Sequence, residues 1–578
     1  MSGPAMRTAA PASGIASRWW VDRGTVLQWT TALFTLALVF APLVPVILQS
    51  LMRRPLYDGI GAFTSDNYIR LLTSRTLLEA VGNSLVFACL TTLLALLIGA
   101  AGAIAVGRTD IPGGKFIGEL LLWPLYLSQL VMAFGFSIMY GPAGYLTLGV
   151  QAATGVMPWN LYSLAGMAVV AAICEAPLTF LYCLNSTRMA DPALEDAARV
   201  SGAGSLRTLW AITLPLMRPA LVYSAMLNFT TALELLSVPL IFGGPVGIHF
   251  LATFLYDEGI GAATPDYGLV GAVAVALLGI VTLLVWLQGR LLSNIGRFVT
   301  VKGKASRPRR FPLGWLRWPL ALLLAVYVTL GVLAPLAGLA LRAVTSFLTP
   351  LVPVWEVWTF DHLKMIVSYP TYVRSILNSI GIALFGGALA TVLVALVAII
   401  TQRSPYRHAR ALEFIALYPR AVPGLVVGLG FLWAMIVFPP LGWLHNTIAI
   451  LVLAFTMRYL PTGLGAVSPA LLQISPELDR AARTAGADWW TTSWAIPLRL
   501  LKPALFSAFA VLFICFFKDY ATAVFLFAPG SEVIGTTLLS FWIQGDAGPV
   551  AALAMLQVLL TFAFVYGVRL LFGVRVYG

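Results

Sequence analysis

Twelve stretches of this 578-residue chain are long and apolar enough to cross a lipid bilayer, and that constrains its fold more than any other feature. A helix needs roughly 20 apolar residues to cross about 30 Å of hydrocarbon. The stretches are 26–50, 81–106, 117–140, 161–184, 217–242 and 268–292, then 318–344, 376–400, 414–438, 446–467, 503–528 and 550–573. Inside hydrocarbon every backbone N–H and C=O must be paired within the protein, so only helices or closed barrels can cross. Runs of this length exclude barrel strands. Composition agrees: 60% of residues are hydrophobic and 10% are charged, where a soluble domain carries about 25% charged residues. The sequence predicts an all-α membrane protein with twelve transmembrane helices.

Charge sets the expected direction, because cytoplasmic loops are enriched in Lys and Arg. The stretch from Arg290 to Arg317, between the sixth and seventh spans, holds eight Lys or Arg and no acid. With that side cytoplasmic, both termini are expected inside, together with loops 107–116, 185–216, 401–413 and 468–502. Loop 243–267, which carries Asp257, Glu258 and Asp266 without a Lys or Arg, falls outside. The net charge of +13 is then a topology signal and requires no nucleic acid. Cys89, Cys174, Cys183 and Cys515 lie in apolar runs without CxxC spacing, and the four histidines form no ligand pair, so no metal site is predicted.

The chain is also written twice. "ALEDAARVSGAGSLRTLWAITLPLMRPAL" (193–221) and "ELDRAARTAGADWWTTSWAIPLRLLKPAL" (477–505) agree at fifteen of twenty-nine positions, 284 residues apart. "FTSDNYIRLL" (63–72) resembles "WTFDHLKMIV" (358–367), and Asn83-Ser84 matches Asn378-Ser379, both 295 apart. Two six-span halves that start on the same side are parallel repeats about an axis along the membrane normal. Residues 1–24 read as a polar tail, 25–295 as the first half, 296–316 as a basic linker and 317–578 as the second half.

The duplicated segment reads as helix, turn, helix on the cytoplasmic side. Ala197-Ala198 and Ala481-Ala482 give a small-residue face, Gly202 and Gly486 permit a turn at positive φ, and Pro219 and Pro503 suit the first turn of the next span. A single copy would pass as a linker helix; two copies at equivalent positions point to two docking levers, 191–215 and 475–499. At these residues the chain resembles the membrane subunits of binding-protein-dependent ABC importers, whose signature is E-A-A-x3-G-x9-I-x-L-P. The first copy matches through Asp196, Ala197, Ala198, Gly202, Ile212, Leu214 and Pro215, with Glu195 beside them. The second matches through Ala481, Ala482, Gly486, Ile496 and Leu498, but Arg480 replaces the acid and Asp479 is the neighbouring carboxylate. "FKDYATAVFLFAPG" (517–530), "ALELLSVPLIFGGP" (232–245) and "VPGLVVGLGFLW" (422–433) narrow the resemblance toward fused ferric-iron-type permeases, which share much with thiamine, polyamine and phosphonate permeases.

The resemblance implies a type I ABC importer permease fold of two parallel six-helix repeats in a bacterial inner membrane. It also implies two ATPase subunits on the cytoplasmic levers, a solute-binding protein on the outer face, and Fe(III) as the first-choice solute. ATP and Mg would belong to the partner subunits: the chain has no Walker A motif, since "GRTDIPGGKF" misplaces its first glycine and ends on Phe116. No catalytic residue or cofactor is predicted. An ion-coupled secondary transporter, also often twelve spans in two halves, is the alternative of another class.

Five ionisable residues fall inside predicted spans: Glu175, Glu234, Arg458, Lys518 and Asp519. An ionised side chain at mid-bilayer costs about 2.5–3.5 kcal/mol on insertion scales, so each asks for a partner or a polar cavity. Glu234 and Lys518 are equivalent at the 284 offset, and Glu175 falls one residue from the equivalent of Arg458. Both pairs are expected at matching depth on the interface between the halves, pairing across it or lining a path.

Overall fold

The structure is a computed structural model and describes residues 23–59, 61–189, 194, 197–198, 200–293 and 311–572. The tail to residue 22, most of the basic linker, and Glu195 and Asp196 lie outside the described residues. Among the described residues the extended pairings are three isolated bridges, Met52–Phe63, Thr109–Phe311 and Thr345–Trp358; the rest of the architecture is helical. Among the described residues ten helices are long and apolar enough to cross a membrane unaided. Two bent pairs, Ala409–Ala421 with Gly424–Val437 (109°) and Trp489–Leu500 with Lys502–Lys518 (71°), supply the ninth and eleventh crossings and bring the number to twelve.

The fifth and eleventh spans end earlier than their apolar runs. Leu214–Glu234 and Lys502–Lys518 stop at their charged residues. Beyond Glu234 the chain meets Pro239, which starts a short bent pair, Pro239–Val246 and Leu251–Gly261, folded at 88°. Beyond Lys518 the Asp519 carboxylate accepts the Thr522 amide at 2.9 Å, and this local bond competes with continued helix. Ile534–Ile543 then takes the place that Leu251–Gly261 takes in the first half. Hydropathy could not see these ends, because the returning segments are as apolar as the spans. Pro503 stands in the first turn of its helix as expected, whereas Pro219 lies inside Leu214–Glu234, where Pro215 occupies the first turn.

The matched Asn-Ser pairs hold the returning segments in place. Ser84 Oγ accepts from the Leu251 amide at 2.9 Å, and Ser379 Oγ accepts from the Ile534 amide at 2.8 Å. Asn83 donates to the His249 carbonyl at 3.1 Å, and Asn378 donates to those of Gly530 and Glu532 at 3.0 and 2.9 Å. Each hydroxyl satisfies a helix N-terminal amide that has no intrahelical acceptor. Ser84→Ala and Ser379→Ala are each expected to cost about 1–3 kcal/mol, the penalty for a buried amide left without an acceptor. Thermal unfolding of the detergent-solubilised chain checks this, and the double variant should show the sum because the two hydroxyls share no partner.

The halves are interleaved. Each first span lies between the sixth span of its own half and the third span of the other. Leu43–Ser50 packs on Tyr267–Ser293 and on Gly424–Val437, and Ala334–Ala343 packs on Ala547–Phe572 and on Gln129–Tyr140. Two glycines 295 residues apart allow these crossings. A Cβ on Gly135 would lie 2.7 Å from the Pro335 carbonyl oxygen, and one on Gly430 would lie 2.5 Å from that of Pro42. Removing the side chain there lets backbone approach backbone, the usual device where helices pack without water to drive them together.

Candidate functional site

Both third spans are broken. In the first half Gly114–Tyr126 ends, Leu127 and Ser128 are extended, and Gln129–Tyr140 begins. In the second half Val422 and Pro423 are extended between Ala409–Ala421 and Gly424–Val437. The residue before a proline avoids the helical region, which accounts for Val422. Gln129 and Gly424, the first residues after each break, are equivalent at the 295 offset. A break of this kind leaves amides and carbonyls without intrahelical partners in an apolar layer, where each must find one.

The predicted intramembrane charges supply several of them, each from the opposite half. Glu234 ends the fifth span and its Oε2 accepts the Gly424 amide at 2.9 Å. Lys518 ends the eleventh span and its Nζ donates to the Leu125 carbonyl at 2.7 Å. The acid thus meets a helix N-terminus and the base the C-terminal turn of another, the polarity that helix dipoles favour. Glu234 and Lys518 are therefore equivalent in position but are not partners of each other. Reversing both together (Glu234→Lys with Lys518→Glu) is expected to recover nothing that the single reversals lose, read as complex yield and solute uptake.

Arg458 is the hub of the seam. Its Nη2 lies 3.4 Å from Glu234 Oε1 in the other half, its Nε 3.6 Å from Asp519 Oδ2, and its Nη1 donates to Thr522 Oγ1 at 2.9 Å. Tyr459 donates to the same Asp519 oxygen at 2.7 Å. Glu175 does not pair with Arg458, contrary to the expectation from equivalent depth. It accepts hydrogen bonds from Gln129 Nε2 and from Thr231 Oγ1, the latter at 3.3 Å, and has no cation within 4 Å among the described residues. Electrostatically it feels both Lys518 and Glu234, so the five groups form one cluster of three acids and two bases. The Arg458 and Glu234 side chains keep 18% and 21% exposure, as a narrow crevice between halves would give.

The glycine turns of the two duplicated segments match. Gly202 and Gly486 adopt φ of +81° and +89°. The Ala203 amide returns to the Ala198 carbonyl at 2.9 Å, and the Ala487 amide to the Ala482 carbonyl at 3.0 Å. This is a glycine-terminated helix end, and only glycine adopts that φ without strain. In both copies the first alanine (Ala197, Ala481) is exposed and the second (Ala198, Ala482) half-buried. Arg480 is exposed, whereas Asp479 turns inward: its Oδ2 accepts Arg403 Nη1 at 3.0 Å. Arg403 also donates to the carbonyls of Leu471 and Ile474, which fastens this lever to the end of the eighth span. Asp488 starts the second short helix by accepting the Thr491 amide at 2.8 Å, and the Thr491 hydroxyl and amide hold its carboxyl below the ordinary value.

Gln129, Thr231, Gly424, Tyr459 and Thr522 complete the seam and were not singled out as site residues from sequence. Gly424 and Thr522 sat in quoted motifs, but only their partners across the seam distinguish them from packing residues.

Twelve crossings in two interleaved repeats, with a charged seam between them, define a multi-pass membrane permease. The chain belongs to the binding-protein-dependent transport system inner membrane component family, whose model matches residues 94–297 and 392–572, once in each half. It is a fused, two-half ABC importer permease of the inner membrane. A ferric transport system permease protein of Actinobacillus pleuropneumoniae is 26% identical over 530 residues, 88% of this chain and 74% of that protein. A probable ABC transporter permease protein of Sinorhizobium fredii is 22% identical over 94% of each chain. A putrescine transport system permease protein of Escherichia coli is 23% identical over 45% of this chain and 89% of its own.

Proposed function

We propose that this permease moves Fe(III) from an external binding protein into the cytoplasm by alternating access, driven by two ATPase subunits, one on each of the segments 191–215 and 475–499. The observation that carries the choice of solute is the ferric relative, which aligns across both halves as one chain, whereas the putrescine relative aligns with less than half. A polyamine is the second reading, supported by the putrescine relative's similarity to part of the chain.

In this mechanism nucleotide-driven approach of the ATPases draws the two levers together and rocks the halves about their shared axis. The swapped contacts of Glu234 with Gly424 and of Lys518 with Leu125 join fifth and eleventh spans to the opposite third spans, so they break and re-form as the path opens. Ala197, Ala198, Gly202, Arg480, Ala481, Ala482 and Gly486 form the docking levers, with Glu195, Asp196 and Asp479 as their carboxylates. Both termini face the cytoplasm.

The chain is to be reconstituted in proteoliposomes with its ATPase and binding protein, and uptake of radiolabelled iron followed. Uptake is expected to require ATP and binding protein and to resist excess putrescine, thiamine and 2-aminoethylphosphonate. Uptake without ATP would instead indicate an ion-coupled carrier. Cysteines at Ala198 and Ala482 are each expected to crosslink an ATPase subunit, giving two per chain; labelling of either position from the external side would overturn the orientation.

A further inference from the structure

Away from the seam, an apolar groove of about 180 Å³ opens on the flank of the second half, beside its lever. Leu27 of the first span, Ala395 and Ile399 of the eighth, Leu505 of the eleventh, and Trp490 and Trp494 of the lever segment line it. Three of its walls are membrane-spanning helices, and Val392 and Trp494 at its mouth are 57% and 52% exposed. Two wall residues carry a hydroxyl, Thr391 and Ser493, and that of Thr391 is already engaged, donating to the Gly387 carbonyl at 2.7 Å. Such a wall gives a polar ligand little to hold and gives a hydrocarbon chain contact along its length.

Cations stand close by in the sequence of the same elements. Arg23 lies one helical turn before Leu27, and Arg499 and Lys502 fall between the lining residues Leu498 and Leu505. All three are exposed and none forms an ion pair among the described residues. The nearby acid, Asp488, accepts the Thr491 amide at 2.8 Å and also feels the charge of Arg23. Tryptophans at an apolar–polar border beside exposed cations are what a lipid headgroup region selects.

The aromatic wall differs between the halves: at the 284 offset Trp489 and Trp490 become Ser205 and Leu206, while Trp494 corresponds to Trp210, so the first half keeps one of the three tryptophans. We propose that the groove holds one acyl chain of an anionic phospholipid whose phosphate sits at Arg23, Arg499 and Lys502. The bound lipid braces Trp490 and Trp494, and with them the second lever, giving the two levers unequal stiffness. The proposal rests on the membrane-spanning reading and not on the solute.

The test is native mass spectrometry of the full chain in detergent, with added dioleoylphosphatidylglycerol or dioleoylphosphatidylethanolamine. One phosphatidylglycerol per chain is expected to survive activation that strips all other lipid. Ala395→Phe, which fills the groove, and Arg23→Gln with Lys502→Gln, which leaves its packing intact, should each lower that retention by about tenfold. Equal retention in the charge variant, or equal retention of phosphatidylethanolamine by the unmodified chain, would overturn the proposal. Loss in the charge variant together with normal thermal unfolding supports it, even if Ala395→Phe fails to fold.

Discussion

Arg458→Met is expected to abolish solute uptake and to reduce the yield of folded permease sharply. The substitution keeps most of the side-chain volume and removes the one cation among the described residues that lies within 4 Å of both Glu234 and Asp519. Removing one partner of a buried ion pair costs about 3–5 kcal/mol, because the other charge is left uncompensated. Here two carboxylates are left, one from each half, so the seam itself is loosened. Arg458→Lys separates charge from geometry. An ammonium can satisfy one neighbour but cannot span Glu234, Asp519 and Thr522 as the planar guanidinium does. Yield should recover with lysine while uptake recovers only in part. Normal uptake by Arg458→Met would show that the cluster neither holds the halves in register nor lies on the path.

Gly424→Ala is the second large effect, and it adds only a methyl group. A Cβ at that position would lie 1.0 Å from Arg458 Nη1, so the guanidinium must leave its place. Displacement breaks the bond to Thr522 and draws the cation away from Glu234, while the backbone conformation of residue 424, already helical, remains available to alanine. Uptake is expected to fall by well over tenfold, since misplacement of about 1 Å can cost a hundredfold where geometry is critical. Gly465→Ala, in the same span as Arg458 with open space around it, is the control and should transport normally. Equal behaviour of the two variants would mean that Arg458 tolerates displacement and does not organise the seam.

The partly legible site explains itself in physical terms. Both lever turns could be read from Gly202 and Gly486, because a positive φ is a local demand that a single residue type meets. Which residues were charged inside the membrane was equally plain. Their pairing was not: matching depth suggested that Glu234 meets Lys518 and that Glu175 meets Arg458. In the structure Glu234 and Lys518 bind the broken third spans of opposite halves. The breaks at Leu127-Ser128 and Val422-Pro423 create backbone acceptors and donors that hydropathy does not register, and these compete successfully for the charged side chains.

By itself the sequence determined the lipid solvent, the number of crossings, the duplication and the local chemistry of each lever, since apolar length, repeat spacing and glycine placement act within a segment. Only the tertiary structure decided where the fifth and eleventh spans stop, that each first span crosses to the other half, and which partner each buried charge takes. Those outcomes depend on which backbone groups are left unsatisfied once helices pack, and that is settled between segments hundreds of residues apart.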